Sequence, residues 1–152
     1  IKVKIDDDPE YYKSLSKRLE DIIRKNEEKW DDLVQLLMDF RGSIEENRER
    51  QAEDLGLSET EFAFHNILKA ELSSARGIES FDEDTNEAVK EVVRRLVSMM
   101  DEASQIVDFF NKWDEQKRMR VQIKRAIMES FDESMVKPVT ERFMELAKVK
   151  FK

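Results

Sequence analysis

Apolar residues recur at spacings of three and four through the first third of the chain. Tyr12, Leu15, Leu19 and Ile22 open the series and Trp30, Leu33, Leu37, Phe40 and Ile44 continue it in phase, the mark of an amphipathic α-helix. Asp6, Asp7 and Asp8 followed by Pro9 supply an N-cap and a proline at the first helical position, so the first helix is predicted to open there. One very long helix or two shorter ones satisfy the pattern. Residues 25–29 carry no apolar anchor, which favours a break or kink near Asn26. Beyond Ile44 the stripe fades into Glu45, Glu46, Asn47, Arg48, Glu49 and Arg50. That stretch reads as a solvated helix projecting from the core and ending at Gly56 as its C-terminal cap.

Ser58 with Glu61 forms a capping box, each side chain satisfying a free backbone amide of the first turn. A helix is therefore predicted from about Glu59, with Phe62, Ala63, Phe64, Ile67, Leu68 and Leu72 on a wide apolar face, stopping near Ser73, Ser74 and Gly77. A loop follows to Asp84, which with Glu87 repeats the capping logic. The next helix carries Val89, Val92, Leu96, Met99, Ala103, Ile106 and Phe110 on one side. A polar stretch over residues 111–116 precedes another helical segment to about Ser130, and Pro138 is predicted to start a last helix bearing Val139, Phe143, Leu146 and Ala147. The expectation is an all-α, irregular bundle of five or six helices with one or two long N-terminal ones. Residues 1–8 read as a linker or the tail of an upstream element and residues 9–152 as a single helical domain.

Composition narrows the class. The chain has 152 residues, 39% of them hydrophobic, with nine Phe and two Trp, enough for one domain with a real core. Three Gly and two Pro are too few for the hairpins of a sandwich or barrel. The absence of Cys removes disulfides, thiolate zinc sites and Cys nucleophiles, and fits a cytoplasmic setting. No apolar run approaches the roughly 20 residues that span a bilayer, so no membrane partner is expected. The chain opens at Ile1, with Val3 and Ile5 alternating with Lys2 and Lys4, like a clipped strand; it reads as a fragment of a longer polypeptide.

Catalytic chemistry is hard to write from these residues. Gly42, Gly56 and Gly77 are isolated, so no phosphate-cradling loop or dinucleotide fingerprint can be drawn. His65 is the single histidine and sits beside Phe62 and Phe64, where a structural role outweighs one as a general base. The 35 carboxylates form helical pairs too readily for any acid–base dyad to stand out. Asp82, Asp84 and Asn86 match the first ligand positions of a calcium loop, but Glu87 stands where Gly is needed and Val93 where the bidentate Glu should be. The scattered methionines, Met99 and Met100 among them, suit core gaps.

Charge distribution is the anomaly. Residues 1–111 hold 16 basic and 28 acidic side chains, a net of −12, whereas residues 112–152 hold 11 and 7, a net of +4. Lys117, Arg118, Arg120, Lys124 and Arg125 place five cations in nine residues with no acid among them. At about 100° per residue they occupy an arc of roughly 160°, with Met119, Ile123, Ala126 and Ile127 opposite. Such a stripe can follow successive phosphates of duplex DNA, giving sequence-independent and salt-sensitive binding. It can equally offset the chain's own carboxylates as a solvated face. Val121 and Met128 fall inside the basic arc, which points either to a protein partner or to a core that wraps this helix on two sides.

The run at residues 53–64, with Gly56, Leu57, Ser58, Glu61, Ala63 and Phe64 as its core, resembles the C-terminal helical domain of type I restriction enzyme motor (R, HsdR) subunits. A second patch at residues 120–125, Arg120, Val121, Gln122, Ile123, Lys124 and Arg125, is similar to that family's basic helix. The likeness covers about residues 11–130. It departs at His65, where many members have Tyr, and at residues 129–134, which lack a Tyr-Pro segment. The resemblance implies a parent that cleaves DNA with ATP-driven translocation, its ATP and Mg²⁺ belonging to upstream domains and no cofactor to this fragment. It also implies a non-catalytic terminal domain docking the motor subunit to the methyltransferase (M) subunits, with the rest of the R subunit and the DNA backbone as further partners. Bracing the parent's own motor domains is the alternative role.

Overall fold

A computed structural model of the chain describes residues 8–25 and 30–151. Among the described residues there are six α-helices and no strand: α1 (Pro9–Lys25), α2 (Trp30–Leu55), α3 (Glu59–Arg76), α4 (Glu83–Ser104), α5 (Trp113–Ser130) and α6 (Val136–Phe151). Two single 3-10 turns, Phe109–Asn111 and Glu133–Met135, lead into α5 and α6. The all-α expectation holds, with the upper helix count. Asn26, the site of the expected break, and residues 1–7 of the leading segment lie outside the described residues, as do the side chains of Trp30 and Leu33.

Local punctuation sets most boundaries. Gly56 adopts φ +70°, and the amides of Gly56 and Leu57 donate to the carbonyls of Glu53 and Ala52 at 2.9 Å each, the paired bonds of a Schellman C-cap. Ser58 then caps α3 through the full box with Glu61, and Gly77 closes that helix at φ +65°. The opening of α4 differs from expectation. Its N-cap is Asp82, whose carboxylate accepts from the Thr85 amide at 2.8 Å, while Asp84 lies inside the first turn and favours the helix dipole instead. α6 likewise starts at Val136, two residues before Pro138, because the first turn's amides need no intrahelical acceptor and proline is tolerated there.

The helices α3 to α6 close a four-membered ring in which α3 and α5 each pack on both α4 and α6. Phe64, Ile67, Leu68, Leu72, Val93, Met100, Met119, Ile123, Val139 and Phe143 fill the centre. The α4 stripe ends earlier than its sequence suggests: the helix stops at Ser104 and Ile106 is exposed. Asp108 then takes a left-handed φ of 58°, and the turn that follows buries Phe109 rather than Phe110.

A second, smaller core joins Tyr11, Tyr12 and Leu15 of α1 to Ile44 and Ala52 of α2 and to Leu57 and Phe62. Residues 45–54 are therefore not a projecting solvated arm. Ile44, Arg48 and Ala52 repeat every four residues along one buried face, and apolar periodicity misses this because its central member is an arginine. Asp8, at the end of the leading segment, is 0% exposed and packs into the domain. The outward-facing residues are instead farther up α2, where Val34, Leu36 and Met38 are exposed.

Polar clamps tie the two cores together. Arg48 Nε donates to Asp8 Oδ2 at 3.0 Å, Asn66 Nδ2 reaches both carboxylate oxygens at 3.3 and 3.2 Å, and the Tyr11 amide donates to Oδ1 at 3.4 Å. Arg142 of α6 bridges Glu71 of α3 at 2.9 Å and also Glu10 of α1.

Candidate functional site

α5 splits into two faces as its periodicity requires. Met119, Ile123, Ala126 and Ile127 are buried against the ring, and among the described residues no second core wraps the other side: Trp113 is 68%, Val121 46% and Met128 58% exposed. The outward arc thus combines cations with large apolar side chains. Trp113 is the member that sequence reasoning missed. Its signal is its place four residues before Lys117, one turn along the same arc, and the Lys117 ammonium stands over its ring at 5.0 Å from the centroid, a cation–π contact.

The five cations are not equivalent. Arg118 pairs with Glu115 at 3.1 Å within the helix, and Arg120 pairs with Glu141 of α6. Lys124 and Arg125 form no ion pair with any described residue. Beside them, Arg125 and Gln122 line a groove of about 320 Å³ between α5 and α4, whose other wall bears Arg95 and Met99. Arg95 joins the basic face only through tertiary packing, so no spacing in the sequence points to it.

His65 belongs to the core. It is 4% exposed, stacks on Phe62 with ring centroids 6.3 Å apart, and burial pushes its pKa from 6.5 down to about 4, with Lys69 and Lys90 adding to the effect against a bond to Asn66. A neutral, enclosed imidazole cannot meet a substrate. Asp82 and Asn86 serve the α4 N-terminus, the first as its cap and the second by donating to the Phe81 carbonyl at 3.3 Å. No group of three potential metal ligands occurs among the described residues, nor is any described helix long and apolar enough to cross a membrane.

These features define a helical domain that presents a basic, apolar-studded helix on its surface. The chain belongs to the family of type I restriction enzyme HindI endonuclease subunit-like proteins, as their C-terminal domain, the family model matching residues 1–152. No curated protein and no solved structure gives a significant match. The resemblance drawn from residues 53–64 and 120–125 is thereby established at the level of the family.

Proposed function

We propose that this domain is a non-catalytic assembly module that docks the motor subunit of a type I restriction enzyme to its methyltransferase core. The observation that carries the reading is the outward face of α5, where Trp113, Val121 and Met128 remain exposed although the inner face already satisfies the fold. Apolar groups of this size on a charged helix suit a protein contact. ATP and Mg²⁺ serve the upstream domains in this reading, and the complex works in the bacterial cytoplasm. The test is gel filtration of the parent subunit, with and without these 152 residues, mixed with the methyltransferase core and a duplex bearing the recognition site. Loss of co-elution by a truncated subunit that keeps its ATPase activity supports docking. Co-elution that persists, with a lowered melting temperature of the motor, identifies an internal brace.

A second reading, contact with the DNA backbone, is favoured by Lys124 and Arg125 having no ion-pair partner among the described residues. Reversing Arg118, Lys124 and Arg125 to Glu should then weaken binding about equally for unrelated duplexes and reduce the log–log salt slope by roughly three, near one for each phosphate that is no longer neutralised. Unchanged affinity refutes this reading and leaves docking intact.

A further inference from the structure

We propose that the outer face of α5 is the seat of an acidic amphipathic helix of a protein partner, lying along a seam made by Trp113, Lys117, Val121, Lys124 and Met128. The inference rests on the docking reading and specifies its occupant. The five residues follow one another at spacings of four, four, three and four, the last three of which alternate as in a coiled-coil seam. At about 100° per residue they share an arc of roughly 80°, and over 1.5 Å per residue they run about 22 Å, four turns of helix. Val121 and Met128 stand one heptad apart, as do Lys117 and Lys124 and, along one edge, Arg118 and Arg125.

Chemistry decides what fits. The seam alternates apolar side chains with cations, so its complement is a helix with apolar residues every three to four positions and carboxylates beside them. A phosphate backbone meets the cations and leaves Trp113, Val121 and Met128 in water. The cations themselves are partly committed, since Arg118 and Arg120 already hold Glu115 and Glu141. Pairing with the same face of a second copy would set Lys117, Lys124 and Arg125 against their own counterparts, which repels. An acidic amphipathic helix covers the apolar groups and neutralises Lys117, Lys124 and Arg125 together.

The direct probe is a fluorescein-labelled synthetic peptide of about three heptads, with Leu at the seam positions and Glu flanking them, titrated against the 152-residue chain by anisotropy. A scrambled peptide of identical composition and a short DNA duplex are run beside it. The expected result is that the patterned peptide binds and the scrambled one does not. In Val121→Asn/Met128→Asn, both exposed and outside the core, affinity for the peptide falls about tenfold or more while the circular-dichroism melt is unchanged. Equal binding of the two peptides reduces the face to a charge effect and overturns the proposal. So does a duplex that binds more tightly than the peptide and ignores the double substitution, or a concentration-dependent dimer in sedimentation that the substitution abolishes. Failure here is separable from failure of docking: a full subunit carrying the double substitution that still co-elutes with the methyltransferase core sinks the seam, whereas co-elution without the domain sinks docking.

Discussion

Arg48→Met removes the charge that faces a fully enclosed carboxylate while keeping an apolar stem across Phe62, over whose ring the guanidinium carbon now stands at 5.6 Å. Asp8 then retains Asn66 and the Tyr11 amide but no cation. Breaking one side of a buried pair costs roughly 3–5 kcal/mol. Protonation sets the ceiling: neutralising a carboxyl of ordinary pKa at pH 7 costs about 4 kcal/mol, and about 1.5 kcal/mol at pH 5. Burial already raises the Asp8 pKa above 3.8, against the pull of Arg48, Asn66 and the Tyr11 amide. A raised carboxyl favours the folded state below its unfolded pKa and loses that advantage as pH rises through the folded value. The variant should therefore be most destabilised at neutral pH and recover as pH falls toward 5. Because Asp8 and Arg48 hold α1 and α2 to α3, the loss should fall first on the smaller core. Hydrogen exchange by mass spectrometry at pH 7 and pH 5, corrected for intrinsic rates, reads this directly. Protection should drop in α1 and α2 and stay in α4 to α6. A loss below about 1 kcal/mol, one that is the same at both pH values, or one spread evenly over all helices refutes the reasoning.

His65→Phe tests the buried imidazole from the opposite side. With a folded pKa near 4 against 6.5 unfolded, the unfolded chain takes up the proton first, so stability is present above pH 6.5 and is lost as pH falls toward 4, by about 3 kcal/mol. Urea melts across that window should flatten in the variant; an unchanged pH slope counts against a neutral core histidine. Gly56→Ala puts a Cβ on a residue at φ +70° and 3.4 Å from the Arg94 guanidinium, which donates to the Gly56 carbonyl at 3.1 Å. The strain should lower stability by about 1 kcal/mol, seen as a lower urea midpoint with unchanged slope, and a neutral result would argue against the Schellman cap.

Wherever the controlling interactions lie within a turn or two of one another, the sequence by itself was sufficient. The Ser58–Glu61 box, the glycine caps at Gly56 and Gly77, and the buried set Met119, Ile123, Ala126 and Ile127 all follow from spacing, because capping bonds reach three residues and a helix repeats every 3.6. The all-α class follows too, and residues 53–64 with 120–125 carried the family likeness. Tertiary structure decided what distant segments do to one another. Arg48 reads as one more charge in a polar run until Asp8, 40 residues away, accepts from it, while Asn66, 58 residues from Asp8, donates to the same carboxylate. Whether Val121 and Met128 meet a second core or solvent is equally invisible along the chain, as is the entry of Arg95 into the basic face. Periodicity orients a side chain about its own helix; only the packing of helices determines what stands opposite, and on α5 that leaves cations and apolar groups together on the outside.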